Sequence, residues 1–405
     1  MEPAKKVITT LSYGGEREYR RLILTILSSI AHLGDKHKEY RYVLFTDSPD
    51  YFKSWFRGLN IACHQLSQAK IKAMRGEIDF LHRVKIALIE ETFNTYADSN
   101  ILYLDSDTFF TQSPEAIFSK INEDSSFMHV REYEFSRLEA MPGDPCKAFF
   151  QLITTKDFQL ANQTSIKVND TDASWNAGVI ALHRSHKRLL PDVFALTDQF
   201  YPETNNHACE QYAFSIILQK FTGLSGCESV VSHYWQNIKK QIIDLELAKP
   251  SFLDLERLSL EQKAEHVESL ITRLPDIIEN HFITLKDHAL RELDASNFAK
   301  GYKWYFKAVT TSPQDSMQLT KDALRYGKHA LRRATGKLGR TMRNTLLKPV
   351  SVNYNLHLFA LFFLCELLPI ERTNTFTKPY RVWTELESRS PLKTSLAPLA
   401  AKRAR

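Results

Sequence analysis

Apolar positions in the first hundred residues switch repeatedly between two periods. Residues 6–11 are apolar and β-branched, Ser12-Tyr13-Gly14-Gly15 breaks the run, and residues 19–33 repeat at helical spacing up to Gly34. The order then returns. Residues 40–46 read as a strand closed by Asp47-Ser48-Pro49-Asp50, residues 51–56 as the opening of a helix, and residues 61–66 as a third strand. Residues 80–96 carry a helical pattern, and residues 100–104 form a short unbroken apolar run, as in a strand buried on both faces. Strands alternating with helices predict right-handed crossovers, and so an α/β fold whose Rossmann-like, mostly parallel sheet has helices on both faces. Ligands of such sheets gather at the carboxyl ends of the strands, which directs attention to residues 12–15, 46–50 and 105–108.

Beyond about residue 250 the pattern changes to polar, helix-forming sequence, so the expected division is a catalytic domain over 1–250 and a mostly helical region over 251–405. Within the latter, residues 321–348 hold nine Lys or Arg against the single acid Asp322, while Leu324, Leu331, Leu338 and Leu346 recur near heptad spacing. That is a basic amphipathic helix, suited either to an anionic membrane surface or to packing on the core with a solvated basic face. Residues 358–365 are apolar but too few to span a bilayer of about 30 Å.

Composition narrows the class. Apolar residues at 43% and charged residues at 25% are ordinary for a globular chain, and 13 glycines and 15 prolines exclude a low-complexity protein. The net charge of +6 is modest for 405 residues, and no nucleic-acid partner is expected. No apolar stretch resembling a signal peptide precedes the first strand, so a cytoplasmic location is expected, peripheral to a membrane if the basic helix binds one. The five cysteines are scattered and never spaced C-x-x-C, which argues for reduced thiols rather than a zinc site or disulfide framework.

The sharpest chemistry is Ile101-Leu102-Tyr103-Leu104-Asp105-Ser106-Asp107-Thr108, an acid-x-acid pair where a buried strand opens into a turn. Two carboxylates one residue apart can share a hard divalent cation, and that cation can bridge the oxygens of a diphosphate. The plain alternative is a solvated turn. Thr10, Tyr13 and Asp47, at other strand ends, are candidates for a nucleotide, Tyr13 by stacking on a base and Asp47 by accepting from base or ribose; Asp47 before Ser48-Pro49 could equally shape a turn.

Several motifs in one order make residues 6–245 resemble the GT-A fold of nucleotide-sugar glycosyltransferases, and most of all the retaining glycosyltransferase family 8, the glycogenin-like group. Phe80-Leu81-His82-Arg83-Val84-Lys85 looks like the family's helix whose lysine faces the nucleotide, and Asp105-Ser106-Asp107 follows. Trp175-Asn176-Ala177-Gly178-Val179-Ile180 is similar to F-N-A-G-V, whose asparagine contacts the donor sugar. Cys209-Glu210-Gln211 is similar to the acidic element near the reaction centre, and residues 233–239, from His233 to Lys239, resemble H-x-x-G-x-x-K-P-W. The resemblance implies metal ligation by Asp105, Asp107 and His233, with Mn²⁺ favoured over Mg²⁺. It implies contact with a nucleotide-diphosphate sugar, UDP-linked by preference, through Lys85, Ser106, Gly178 and Lys239, and catalytic roles for Asn176, Glu210 and Gln211. The acceptor implied is a glycan, a lipid-linked sugar or a protein. A neutral imidazole beside two carboxylates suits manganese, and a lysine six residues on can neutralise a diphosphate.

The chain departs from the pattern at Gln236 for glycine, Lys240-Gln241 for Pro-Trp and Glu210 for aspartate. Two other readings compete. Asp105-Ser106-Asp107-Thr108 also fits the D-x-D-x-T opening of haloacid dehalogenase phosphatases, but that motif ends the first strand of its domain and no later acidic pair completes it here. A non-catalytic nucleotide-sugar-binding scaffold at a membrane is the second.

Overall fold

The computed structural model describes residues 5–295, 297–312, 321 and 322. Most of the basic segment over 321–348, and all of the apolar run over 358–365, lie outside the described residues. Its strands are β1 Lys5–Ser12, β2 Tyr40–Thr46, β3 Ile61–Gln65, β4 Ser99–Leu104, β5 Thr108–Phe110, β6 Ser125–Met128, β7 Arg131–Glu134, β8 Phe158–Gln159, β9 Ser165–Ile166, β10 Ala173–Trp175, β11 Val179–Leu182, β12 Gly223–Gly226 and β13 Val231–His233.

Seven of them form one sheet in the order β12-β6-β11-β4-β1-β2-β3. All neighbours run parallel except β11, which is antiparallel to both β4 and β6. Its side chains alternate between two cores, as a period of two demands. Val7, Val43, Phe45, Ile101, Tyr103, Ile180 and Leu182 face one, beneath helices Arg83–Thr95, Leu190–Thr204 and Cys209–Phe221. Ile8, Tyr42, Leu44, Leu102, Leu104, Val179 and Ala181 face the other, beneath helices Glu16–Leu33 and Leu260–Asn280. The fold is therefore the expected mixed α/β one, with a helical C-terminal region.

That region begins with a capping box. Ser259 Oγ accepts from the Gln262 backbone N–H, and Gln262 Oε1 accepts from the Ser259 N–H, which starts helix Leu260–Asn280. Its Leu260, Ala264, Val267, Ile271 and Leu274 enter the same core as helix Glu16–Leu33. Helices Phe282–Asp294 and Phe298–Thr311 form a hairpin with its own small core of Leu285, Ala289, Leu293, Tyr302, Tyr305 and Ala308. No helix among the described residues is long and apolar enough to cross a membrane.

The pattern over residues 80–96 overstates its helix, which spans Arg83–Thr95. Upstream, Gly76 and Asp79 both adopt positive φ and fold residues 76–82 into turns instead. Cys63, Cys146, Cys209 and Cys227 are free thiols.

Candidate active site

The chain order changes direction between β1 and β4, the switch point where an open sheet leaves a crevice. Asp105 leaves β4 there, its N–H still bonded to Gly178 O at 2.8 Å. The turn that follows is held from below. Thr25, buried in helix Glu16–Leu33, places its hydroxyl 3.0 Å from Ser106 O and 2.7 Å from Thr108 O, while Ser106 Oγ donates to Glu18 at 3.3 Å. Beyond the turn, β5 pairs antiparallel with β13 and sets His233 opposite Thr108.

This pairing delivers the imidazole to the acid pair. His233 Nε2 lies 3.2 Å from Asp107 Oδ1, and the donor atoms of Asp105, Asp107 and His233 all lie within 4.8 Å of one another. Asp107 Oδ2 also accepts from Lys240 Nζ at 2.5 Å. Burial alone would raise the Asp107 pKa, but His233 and Lys240 outweigh it and hold the carboxyl well below the usual range. Asp105 accepts from the Tyr103 hydroxyl at 2.5 Å and faces Lys85 Nζ at 3.3 Å.

Lys85 sits in the first turn of helix Arg83–Thr95 and is 7% exposed, so it does not form a solvated face. Its ammonium donates to Ala177 O at 3.0 Å and lies 3.4 Å from Glu210 Oε1. Burial opposes its charge, yet Asp105 and Glu210 hold its pKa above the ordinary lysine value. Glu210 is 4% exposed and its second oxygen has no partner. Three carboxylates thus converge on two ammonium groups, and the excess negative charge suits a divalent cation. Two carboxylates and an imidazole are a fitting donor set for Mn²⁺.

Gly178 has a steric role. A Cβ built on it would lie 2.3 Å from the His233 ring, so only glycine leaves room for the imidazole. Asn176 orients that ring: its Oδ1 lies 2.8 Å from His233 Nδ1 and accepts from the Gly178 N–H at 3.0 Å. Gln211 Oε1 accepts from the Ala177 N–H at 3.2 Å.

The other predicted residues are more dispersed. Asp47 accepts from the Gly14 N–H at 3.0 Å and from the Tyr19 hydroxyl at 2.7 Å, closing a turn in which Gly14 and Gly15 both need positive φ. Thr10 is buried with its hydroxyl unpartnered, and Tyr13 is half-buried, which pushes its pKa up. Lys239 is exposed, while the next residue, Lys240, reaches Asp107. The resemblance singled out Lys239 by its spacing from His233, but which lysine turns toward Asp107 is set by the phase of helix Asn237–Leu247, which depends on where the helix starts. Glu132 and His129 carried no sequence signal either.

His129 is 7% exposed, its Nε2 lies 3.0 Å from Val231 O, and its Nδ1 is unpartnered. Burial, reinforced by His233, lowers its pKa to about 4. The folded state keeps the ring neutral, whereas the unfolded chain takes up a proton near pH 6.5. Stability of the metal-free protein is therefore expected to fall between about pH 6.5 and 4 by up to about 3 kcal/mol from this group and to level off below. Thermal melts with chelator should lose that portion of the slope in His129→Gln; an unchanged slope would contradict the assignment.

No protein-family model matches the chain, and no curated protein matches it in sequence. Among solved structures it is similar to the galactosyltransferase LgtC in complex with donor and acceptor sugar analogues, at 15% identity over 65% of this chain and 95% of that one, with a TM-score of 0.39. An active-site mutant of LgtC gives 14% identity over 66% and 95%, with a TM-score of 0.37. The apo WbbM bifunctional glycosyltransferase gives 14% identity over 56% and 39%, with a TM-score of 0.37. Similarity of this extent defines neither family nor activity, and the functional reading rests on the residues of the site.

Proposed function

We propose that this chain transfers a sugar from a nucleotide-diphosphate donor, UDP-linked by preference, to a glycan, lipid-linked or protein acceptor, with a divalent cation held by Asp105, Asp107 and His233. The observation that carries the reading is the convergence of one ligand atom from each of those three residues within 4.8 Å at the switch point of the sheet. When bound, the cation supplies positive charge to the diphosphate and its departing oxygen.

The chain's own groups complete the arrangement. Lys240, at the exposed edge of Asp107, offers a point charge to the same diphosphate, and Lys85 fixes Asp105 and Glu210 from beneath. Glu210, with one oxygen unpartnered, and Gln211 are assigned to the sugar and the reaction centre. Asn176 has its carbonyl taken by Gly178 and His233, which leaves only an amide hydrogen for a sugar hydroxyl. The third ligand, His233, favours this reading over a phosphatase, whose two aspartates require no such histidine.

The purified chain is expected to release nucleotide diphosphate from one member of a panel of UDP- and GDP-sugars, only with Mn²⁺ or, more slowly, Mg²⁺. Proton NMR of the product anomer then reads the stereochemistry, for which retention is expected by resemblance alone. Metal-independent turnover, or release of inorganic phosphate from a phosphomonoester instead, would overturn the reading; tight nucleotide-sugar binding without turnover would support a scaffold.

A further inference from the structure

A carboxylate outside the metal donor set has both oxygens committed to side-chain amides and a hydroxyl. Glu132 Oε1 accepts from Asn176 Nδ2 at 3.1 Å, and its Oε2 accepts from Gln211 Nε2 at 2.9 Å and from Ser174 Oγ at 3.3 Å. The backbone aims it there. Along the ribbon of β7 and β10, Ser174 pairs with Tyr133 and Trp175 with Arg131, so Glu132 is the extra residue of a β-bulge. Bulges of this kind re-aim one side chain next to a site.

An ionised carboxylate accepts and never donates, so both amide NH₂ groups must face Glu132. The two carbonyl oxygens must then face the loop over residues 175–178, where the Ala177 and Gly178 N–H groups meet them. An Asn176 carbonyl in that position can only accept from His233 Nδ1, which keeps a proton on Nδ1 and makes Nε2, 3.2 Å from Asp107, the nitrogen that gives up its proton when a cation enters. From this chain of donors and acceptors we infer that Glu132 is a positioning residue that selects the Nδ1–H tautomer of His233, the form able to ligate a cation through Nε2. The inference rests on the metal reading above for its purpose, though not for its geometry.

Glu132→Gln tests it with almost no change of shape. A carboxamide accepts at one end only, so one of its neighbours, Asn176 or Gln211, must turn or lose its bond. In the metal-free full chain labelled with ¹⁵N-histidine, and with His233 assigned through His233→Gln, long-range ¹H–¹⁵N spectra should show a proton held on Nδ1 in the parent, and a mixture that includes unprotonated Nδ1 in Glu132→Gln. Calorimetric titration with Mn²⁺, without nucleotide, should show affinity lower by roughly 10- to 100-fold, the usual effect of losing a group that orients a ligand. Glu132→Asp keeps two accepting oxygens and should lie closer to the parent in both measurements.

A parent-like tautomer in Glu132→Gln, with Mn²⁺ affinity within about twofold, overturns the inference. Should that variant fail to fold, Glu132→Asp decides: a single Nδ1–H tautomer supports the inference and a mixture overturns it. If the parent takes up no Mn²⁺, the metal reading falls while the tautomer spectra still decide the role of Glu132.

Discussion

Asp107→Asn is expected to lower sugar transfer by about 10³-fold or more, because a lost metal ligand removes several kcal/mol of charge stabilisation from the transition state. The chain should stay folded. Asparagine keeps the shape of the side chain, and Lys240, left without its partner, is 30% exposed and can be solvated. Some stability at neutral pH is nonetheless expected to go. Burial resists the charge on Asp107, but His233 and Lys240 prevail and depress its folded pKa. A depressed carboxyl pKa stabilises the fold above the unfolded value of about 3.9 and ceases to do so as pH falls through the folded value. Melting temperatures of variant and parent should therefore converge as the solution is acidified in chelator. Transfer within about tenfold of the parent, or parent activity surviving excess EDTA, would remove the metal from the mechanism.

Gly178→Ala should have an effect of similar rank from a residue that bears no charge. Its methyl would meet the His233 ring at 2.3 Å, inside any real contact, so either the imidazole or the loop has to move. Overpacking of this kind costs roughly 1–3 kcal/mol in stability, and a displacement of about 1 Å at a catalytic group costs roughly 100-fold in rate. Gly226→Ala is the control. Its Cβ would meet Glu228 Oε2 at 2.4 Å, the far end of an exposed and flexible side chain that can step aside. Gly178→Ala with metal affinity and turnover within about threefold of the parent would mean that His233 need not occupy its present place.

What sequence could reveal follows the range of the physics. β1, β2 and β4 were legible because strands buried on both faces need nearly unbroken apolar runs, and Asp105 and Asp107 stood out because they follow such a run directly. Position 233 was legible only through resemblance, since nothing local to Val231-Ser232-His233 distinguishes a ligand from a core histidine. Residues whose placement depends on the phase of an element escaped. Lys239 and Lys240 are equivalent in composition, and the start of helix Asn237–Leu247 alone turns the second toward Asp107. Glu132 is aimed by a bulge in a short strand, a feature of pairing with β10 that leaves no mark on its own segment. Residues 80–82 were read into the helix because apolar residues at helical spacing run on through them, although the helix itself starts only at Arg83.

The pairing of β5 with β13 has a consequence for the order of assembly. Asp107 and Lys240 are 133 residues apart, and both they and His233 meet only when that ribbon closes. During synthesis the acid pair leaves the ribosome long before its partners exist, so the nascent chain cannot build the complete cation cradle until this return crossing has been made. Once filled, the cradle clips two distant stretches together, and a bound ion stabilises that closure by mass action, by about 2.7 kcal/mol at a hundredfold excess over its dissociation constant. Under the proposed function a cation would thus act on the finished chain as a fastener as well as a reagent, and its removal would leave β13 and helix Asn237–Leu247 more open to proteases.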